Sequence, residues 1–381
     1  MKVFDTPDIR NVALIGHGDS GKTSLASAML FVAGAVNRFG RVDEGTTVTD
    51  FDEEEIERKI SLQTALAHLE WKDRKVNLLD TPGYAAFVAD AKSALAVADA
   101  ALLLVEGVAG VQVITERTFK FSQEYGLPVV FVINKLDRER SSFDRTLEAV
   151  HARFGRSAVP IQIPIGEEAG FEGIVDLVAM RAHVFPKDGS GKGSAGDVPP
   201  ALLDRAKELR SKLVEMVAES DDSLMEIFFE KGDLEDDRLR GGLKRAVLAR
   251  KIFPVVCASA IHAIGASSLL DLAVDVLPAP GERGGAVGTK PGETAEIVRP
   301  VCAREPVSAF VFKTIADPYA GRLSLFRVCT GTLKGDSPVV NVKNGTSERL
   351  GTVSVLQGKQ ILPVPELRAG DLGVVAKLRE T

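Results

Sequence analysis

The chain has 381 residues, 45% hydrophobic and 26% charged, as in an ordinary globular protein with room for roughly two or three domains. Its net charge of −6 argues against a protein held on bare nucleic acid by a general basic field, so we expect no DNA partner. The three cysteines are far apart and lie in apolar runs, which predicts reduced core thiols and excludes a disulfide framework.

The first part of the chain alternates between apolar strand patterns and amphipathic helix patterns. Strands are predicted at 11–15, 63–71, 75–80, 100–106 and 128–134, and helices at 22–33, 85–98, 111–125 and 143–154. A later strand at 253–259 and a helix at 267–276 continue this series. The alternation predicts an α/β fold with a mostly parallel sheet covered by helices on both faces.

Residues from about 158 to 252 break the alternation, and we interpret them as an α+β subdomain inserted into the first domain. Strand patterns at 159–166 and 171–180 precede a flexible loop at 187–200 and charged helices at 200–219, 222–231 and 235–250. The predicted domains are therefore 1–280 with this insertion, a Gly/Pro-rich linker at 281–297, and an all-β barrel of short strands at 298–381.

Neither a signal peptide nor a membrane span is expected. The start, MKVFDTPDIR, has no apolar core. The most apolar stretch, 93–111, contains Asp99, Glu106 and two glycines, which favours a helix running into a buried strand. We expect a soluble, cytoplasmic protein without a membrane partner, and because nothing indicates an oligomer, we expect a monomer.

The stretch GHGDSGKTSL at 16–25 matches the phosphate-loop pattern G-x-x-x-x-G-K-[ST] through Gly16, Gly21, Lys22 and Thr23. The glycines let successive backbone N–H groups point into one concavity at the start of the next helix. Lys22 would reach the β- and γ-phosphates, and the Thr23 hydroxyl would ligate Mg²⁺. A glycine-rich turn that meets the pattern by chance is the alternative, but the preceding strand and following helix favour phosphate binding.

Two further stretches indicate which nucleotide is bound. In DTPG (80–83), Asp80 could reach Mg²⁺ through water while the Gly83 N–H faces the γ-phosphate, although this sequence is also a good turn. In NKLD (134–137), Asp137 can accept hydrogen bonds from the N1–H and 2-amino group of guanine, which adenine does not present in that form.

Three other groups, from Asn134, Lys135 and the pair Ser259–Ala260, complete the predicted base pocket. Asn134 would face the other edge of the base, and the stem of Lys135 would cover its plane. A backbone N–H of Ser259–Ala260 would bind guanine O6. Each motif alone could be a turn or a cap, but all of them, in order at the carboxyl ends of strands, predict a GTP site.

These motifs resemble those of the translational GTPases, and most closely elongation factor G, over the whole chain. EGTTVTDFDEEEIERKISLQTA resembles the family's first switch, QIPIGEEAGFEGIVDLVAMRA its insertion, and EPVSAFVFKTIADPYAGRLSLFRVCTGTLKGD its second domain. The resemblance implies GTP/GDP and Mg²⁺ as ligands, the ribosome as partner, and ribosome-stimulated GTP hydrolysis coupled to tRNA and mRNA movement. The family's three C-terminal domains are not in the sequence, so we expect either a fragment or a protein that cannot translocate.

The resemblance also exposes departures in the first switch. The family's Mg²⁺-binding threonine falls on Ser61, which keeps a hydroxyl, and a gate residue is kept as Ile60. The usual glycine is Lys59, which we interpret as an exposed lysine, the alternative being added charge near the γ-phosphate. The acidic run 52–57 is interpreted as a solvated helix face, the alternative being a metal site, because its adjacent carboxylates point in different directions.

Two departures concern catalysis. The family's water-orienting histidine is Tyr84, and the apolar gate residue before Asp19 is Gly18. We hypothesise that Gly18 makes room for the wider Tyr84, the alternative being a tyrosine that packs outward at the surface. A phenol is a poor base at neutral pH, but its hydroxyl can hold a water. By the resemblance, Asp19 would bind a monovalent cation or meet the sarcin–ricin loop of ribosomal RNA.

We therefore expect a divergent elongation factor G-type GTPase. The alternatives are a GTP-gated ribosome-binding switch with weak catalysis, and a release-factor-type or ribosome-protection GTPase. The predicted nucleotide-binding residues are Gly16, His17, Gly18, Asp19, Ser20, Gly21, Lys22, Thr23, Ser24, Asp80, Thr81, Pro82, Gly83, Tyr84, Asn134, Lys135, Leu136, Asp137, Ser259 and Ala260. The predicted catalytic residues are Lys22, Ile60, Gly83 and Tyr84, and the predicted metal ligands are Thr23, Ser61 and Asp80.

Overall fold

A computed structural model describes residues 2–290 and 293–381. Up to residue 160 the elements are β1 (Ile9–Gly16), α1 (Lys22–Val32), α2 (Glu53–Arg58), β2 (Ala65–Trp71), β3 (Arg74–Asp80), α3 (Val88–Leu95), β4 (Ala100–Glu106), α4 (Val113–Glu124), β5 (Val129–Asn134), α5 (Phe143–Phe154) and β6 (Ala158–Pro160). There follow β7 (Gln162–Ile165), β8 (Gly173–Asp176), β9 (Arg181–Val184), β10 (Ser194–Gly196), α6 (Pro200–Glu219), α7 (Asp222–Lys231) and α8 (Asp236–Leu248).

The remaining elements lead into the second domain. They are β11 (Phe253–Cys257), α9 (Ala266–Asp275), β12 (Ala286–Thr289), β13 (Glu296–Arg299), β14 (Ser308–Asp317), β15 (Gly321–Thr330), β16 (Thr332–Lys334), β17 (Pro338–Asn341), β18 (Thr346–Arg349), β19 (Ser354–Gln357), β20 (Gln360–Pro363), β21 (Glu366–Arg368) and β22 (Leu372–Ala376). Within the described ranges, no helix is long and apolar enough to cross a membrane.

A seven-stranded sheet forms the centre of the first domain, in the order β2-β3-β1-β4-β5-β11-β6. All neighbours are parallel except β2, which runs antiparallel to β3. The central strands are apolar and buried along almost their whole length because helices cover both faces. This confirms the predicted α/β fold and brings the carboxyl ends of β1, β3, β5 and β11 to one edge.

The structure differs from the sequence interpretation in three places. Strand β6, counted above with the insertion, pairs with β11 in the main sheet, and only β7–β10 form the separate antiparallel sheet. The loop predicted at 187–200 contains β10, an edge strand paired with β9. The linker predicted at 281–297 contains β12 and the start of β13, and these two strands pair antiparallel with Val287 opposite Val298. These segments form strands because they pair with a neighbouring strand, and local composition does not show which segments pair.

The second domain is all-β, as predicted. Its main antiparallel sheet has the order β14-β15-β22-β19-β20, and the pairs β16–β21 and β17–β18 add two ribbons. One apolar core joins these sheets: Phe326 of β15, Leu333 of β16, Val355 of β19 and Leu367 of β21 are all buried in it. A core shared by strands of different sheets is the arrangement that the predicted small barrel requires.

A buried polar network joins the two domains. Lys75 of β3 is fully buried, and its Nζ lies 2.7 and 2.9 Å from the two carboxylate oxygens of Asp371 in the second domain. Asn77 Nδ2 donates to the same carboxylate at 3.0 Å. Removing two charges from water is costly unless they are paired and hydrogen-bonded, so this contact specifies how the domains dock.

A second buried carboxylate strengthens this interface. Asn11 of β1 donates through Nδ2 to Asp99 Oδ2 and to the Gly370 carbonyl, both at 2.7 Å. Arg327 of β15 donates to Asp99 Oδ1 at 2.8 Å. The strands that position the phosphate loop and the DTPG turn are thereby tied to the second domain by charge-assisted hydrogen bonds.

The turn between β19 and β20 makes a close contact with the first switch, which leads to a prediction. Gly358 adopts φ +58°, its N–H donates to the Leu66 carbonyl at 2.8 Å, and a Cβ there would overlap the Val48 carbonyl. Gly358→Ala therefore adds a clash to left-handed strain and should lower the free energy of unfolding by about 2–4 kcal/mol.

Urea denaturation of the whole chain measures this loss, with Gly345→Ala as the matched control. Gly345 also has a positive φ, +74°, but among the described residues no atom lies within 4 Å of an added Cβ. The control should lose only about 1–2 kcal/mol from strain. Equal losses in both variants would show that the contact with Val48 contributes nothing.

Candidate functional site

The phosphate loop between β1 and α1 needs its glycines. Gly16 and Gly21 adopt φ +137° and +92°, where side chains are strained. A Cβ on Gly16 would lie 2.6 Å from the Leu104 carbonyl, and one on Gly21 would overlap the amide of Asn134. Glycine at both positions therefore lets the loop wrap tightly against β4 and β5.

Lys22 at the start of α1 points back into this loop. It is buried, and its Nζ donates to the carbonyls of His17 at 2.7 Å and Gly16 at 3.2 Å. Burial lowers the pKa of Lys22 to about 8, although Asp80 opposes the shift. An ammonium group removed from water in this way is stabilised by an anionic partner such as a phosphate.

Three predicted metal ligands come together beside Lys22. The hydroxyl oxygens of Thr23 and Ser61 lie 3.1 Å apart. Adjacent ligands of octahedral Mg²⁺, each at about 2.1 Å, are separated by about 3 Å, so this spacing fits the ion. Asp80 is buried, and in the described part of the chain its Oδ1 has no hydrogen-bond partner. Two hydroxyls and a free carboxylate oxygen are a suitable donor set for Mg²⁺.

Two further polar residues, which the sequence does not predict, belong to the same cluster. Thr49 donates to Asp80 Oδ2 at 2.7 Å, and Asp50 accepts from the Ser61 hydroxyl at 2.8 Å. Burial, followed by the nearby Asp80 carboxylate, raises the pKa of Asp50 above its usual value. No local pattern marks either residue, because the switch segment before α2 meets β3 only in the folded chain.

The acidic run 52–57 is only partly solvated, which corrects its interpretation as an exposed face. Glu55 is buried, and its Oε1 accepts from the N–H groups of Leu62 and Gln63 at 2.8 and 3.1 Å. Burial raises the pKa of Glu55 above its usual value. The Glu55 carboxylate thus holds the segment after α2, which carries Ser61. This role depends on a turn that the sequence pattern does not show.

Lys59, the position where the resemblance implies a glycine, has a left-handed backbone conformation. It ends α2 with φ +57°, and its half-exposed side chain lies 3.7 Å from Asp43 Oδ1. Lys59 and Ile60 line a cleft of about 520 Å³ together with Lys22, Thr23 and Ser24. A larger cleft of about 670 Å³ between α5 and α6 contains none of the predicted site residues.

The DTPG turn packs directly on the phosphate loop. Thr81 donates to the Leu14 carbonyl at 2.7 Å, which holds the end of β3 to β1, and Pro82 is buried beside it. A Cβ on Gly83 would lie 2.6 Å from Gly18 N and would overlap the Lys22 ammonium. Only glycine permits this approach, which leaves the Gly83 backbone next to the lysine.

Tyr84 turns toward the phosphate loop, so the alternative of an outward-packed surface tyrosine is wrong. A Cβ on Gly18 would lie 2.8 Å from the tyrosine Cζ, which means that the ring occupies the space a larger residue would need. The Tyr84 hydroxyl donates to Asp19 Oδ2 at 3.0 Å. One oxygen of the carboxylate expected to bind a monovalent cation is therefore engaged by a phenol.

Asn134 links the phosphate loop to the loop after β11. Its Nδ2 donates to the Ser20 carbonyl at 2.8 Å, and its Oδ1 accepts from the Ala260 N–H at 3.0 Å. The Ser259 N–H donates to the Ile264 carbonyl at 3.1 Å. The expectation that one of these N–H groups is free for guanine O6 is thus not met in this arrangement, because the structure uses both to order the loop.

Asp137 provides an unsatisfied carboxylate oxygen in the base pocket. Its Oδ1 is buried and lacks a hydrogen-bond partner in the described residues, and its Oδ2 lies 4.0 Å from His262 Nε2. Lys135 adopts φ +61° and lies 3.1 Å from Glu106 Oε1, whereas Leu136 packs in the core. A buried acceptor without a partner is rare unless it serves a ligand, and an N–H donor would satisfy it.

Comparisons with known proteins agree with this geometry. The family model described as "Elongation factor Tu GTP binding domain" matches residues 7–279, and "Elongation factor G domain 2" matches residues 306–381. A crystal structure of a protein from Thermus thermophilus has 32% identity and a TM-score of 0.85, over 98% of this chain and 55% of that chain. The chain thus spans about half the length of that protein. It belongs to the elongation factor G family of translational GTPases.

Proposed function

We propose that this protein binds GTP and GDP with Mg²⁺ and hydrolyses GTP on the ribosome, as a translation elongation factor of the elongation factor G type. The observation that carries the proposal is the buried Asp137 Oδ1, which has no partner among the described residues. It lies at the same sheet edge as the loop that carries Lys22. A guanine base on the first and a triphosphate on the second would satisfy both groups.

The chain's own residues suit phosphoryl transfer, in which positioning and charge stabilisation matter most. Lys22 would neutralise the β- and γ-phosphates, and the Gly83 N–H would bind a γ-oxygen. Thr23, Ser61 and Asp80 would hold Mg²⁺, which supplies charge neutralisation between the β- and γ-phosphates. The second domain, docked through Lys75 and Asp371, would contact the small ribosomal subunit.

The biological step is proposed from the family: movement of tRNA and mRNA through the ribosome in the cytoplasm, by a monomer. A GTP-gated ribosome-binding switch with weak catalysis is the second candidate. Tyr84, Gly18 and Lys59 favour it, because they change groups around the γ-phosphate. A release-factor-type or ribosome-protection GTPase is a third possibility, to which the inserted β7–β10 and α6–α8 segment gives less support.

GTP turnover with and without ribosomes, together with nucleotide-dependent ribosome binding, separates these functions. The elongation factor proposal expects co-sedimentation with ribosomes in a non-hydrolysable GTP analogue and a ribosome-stimulated rate. GTP-dependent binding to ribosomes without ribosome-stimulated GTP turnover would favour the ribosome-binding switch. Absence of both activities, in a chain that is folded by circular dichroism, contradicts the proposed function.

The close packing of Tyr84 against Gly18 gives a prediction about turnover. Tyr84→His with Gly18 unchanged should not restore fast hydrolysis, because the smaller imidazole loses both the ring contact and the bond to Asp19. We expect a ribosome-stimulated rate no higher than that of the unmodified protein and up to about tenfold lower, the effect of one lost hydrogen bond. Single-turnover hydrolysis at saturating ribosomes measures it, with Tyr84→His/Gly18→Val as the matched variant. A tenfold or larger gain in Tyr84→His alone contradicts the packing argument.

A further inference from the structure

We propose that Tyr84 and Asp19 act as one unit that orients the water attacking the γ-phosphate of GTP. Tyr84 is the catalytic residue that contacts the water, and Asp19 is a positioning residue that holds the phenol. This inference deepens the proposed function and rests on it.

The position of Tyr84 follows from its neighbours. The preceding Gly83 touches the phosphate loop so closely that a Cβ would overlap the Lys22 ammonium. Lys22 is the residue that would bind the γ-phosphate. Because Gly83 has no side chain, Tyr84 is the first side chain of the DTPG turn beyond this lysine. Its ring lies flat enough on Gly18 that an added Cβ would be 2.8–3.1 Å from three ring carbons. The phenol is thus held against the phosphate loop, at the mouth of the phosphate site.

The hydrogen bond to Asp19 decides what the phenol oxygen can do. A phenol has one O–H donor, and Tyr84 gives it to Asp19 Oδ2 at 3.0 Å. The remaining lone pairs of the oxygen can only accept, so a water beside it must donate a hydrogen to the phenol. That water then presents an oxygen lone pair in another direction, toward the γ-phosphorus. Asp19 has a left-handed backbone conformation, with φ +59°, and this conformation sets the direction of its carboxylate.

The protonation state of the phenol agrees with an orienting role. Burial, and next the hydrogen bond to Asp19, raise the pKa of Tyr84 above its usual value. The phenol therefore keeps its proton at neutral pH and is not a general base. In the step, the water oxygen bonds to the γ-phosphorus and the bond to the β–γ bridging oxygen breaks. The proton released by the water goes to phosphate oxygens, giving GDP and inorganic phosphate.

A double-mutant cycle on the whole chain tests the unit. Tyr84→Phe keeps the ring on Gly18 and removes the hydroxyl, whereas Asp19→Ala removes the acceptor. Each should lower single-turnover hydrolysis about tenfold, the effect of one lost hydrogen bond. The double variant should lose no more than either single variant. Asp19→Asn should keep most of the rate because its amide oxygen still accepts, and Tyr319→Phe, at an 89% exposed tyrosine, is the matched control.

Two binding measurements keep the test decisive. Affinity for fluorescent GTP and GDP should fall much less than the hydrolysis rate in every variant, since the unit acts mainly on the attacking water. Affinity for GDP with magnesium and tetrafluoroaluminate, which mimics the transferring phosphoryl group, should fall about tenfold in Tyr84→Phe even where turnover is slow.

The outcomes separate this inference from the proposed function. Failure of the unmodified chain to bind GTP contradicts the proposed function. If GTP is bound, three results refute the unit. The first is a loss of hydrolysis rate in the double variant equal to the product of the two single losses, and the second is an unchanged hydrolysis rate in Tyr84→Phe. The third is an affinity of Tyr84→Phe for GDP with magnesium and tetrafluoroaluminate that equals that of the unmodified chain. The unit is also refuted if Asp19→Ala lowers the hydrolysis rate further in the Tyr84→Phe variant and if this loss depends on potassium. Asp19 would then bind a cation.

Discussion

Asp137→Ala is expected to weaken GTP binding by at least about 100-fold. A hydrogen bond to a charged acceptor contributes about 1.5–3 kcal/mol, and the carboxylate would accept two of them from guanine. In the described residues Asp137 Oδ1 is buried without a partner, and the nearest cation candidate, His262, lies 4.0 Å from the other oxygen. No protein group is therefore placed to compensate when the ligand loses this acceptor.

Calorimetric titration of the variant with GTP and with ATP measures the effect. Asp197→Ala, at a carboxylate whose side chain is 96% exposed, is the charge-matched control and should bind GTP as the unmodified chain does. The stability of the ligand-free variant should be unchanged or higher, because the substitution removes a buried acceptor that no described residue satisfies. GTP affinity within threefold of the unmodified chain would rule out Asp137 as the base-binding group.

Asp371→Ala should cost about 3–5 kcal/mol of unfolding free energy, the largest stability effect expected in this protein. The substitution leaves the Lys75 ammonium, whose side chain is 0% exposed, without its carboxylate, and it removes one of the two acceptors of the Asn77 amide, the other being Asn11 Oδ1. Because the pair joins β3 to the second domain, docking of that domain should weaken as well. Replacing both charges, in Lys75→Met/Asp371→Leu, should recover most of the loss.

Urea denaturation with tryptophan fluorescence measures this prediction, since Trp71 lies at the end of β2 beside β3. Glu44→Ala is the matched control, because Arg38 and Glu44 form an exposed pair, with 73% and 53% of their side chains accessible. An exposed pair contributes about 0–1 kcal/mol. Similar losses in Asp371→Ala and Glu44→Ala would show that the interdomain pair does not hold the domains together.

The features that sequence reasoning predicted well are those with local causes. The strands β1, β4 and β5 are apolar runs covered on both faces, and glycines such as Gly16 and Gly21 mark turns that no other residue can make. Once a parallel sheet is assumed, the carboxyl ends of its strands meet at one edge. The grouping of Lys22, Asp80 and Asp137 follows from that rule.

The features that it missed depend on contacts distant in the sequence. Lys75 reads as an ordinary strand lysine, and nothing near it in the sequence indicates that Asp371 lies 2.7 Å away. Asp50 enters the metal cluster only when the first switch folds onto β3, and the Ala260 N–H is taken by Asn134 across the sheet edge. Short periodic patterns carry no information on such pairings.

Titration of the unmodified chain with GTP and with ATP, in the presence of Mg²⁺, tests most directly whether this edge of the sheet is a guanine nucleotide site. GTP should bind at least about a thousandfold more tightly than ATP, because a buried carboxylate that recognises the base discriminates steeply. Equal heats for the two nucleotides, or no heat for either, would contradict a site built around Asp137 and Lys22.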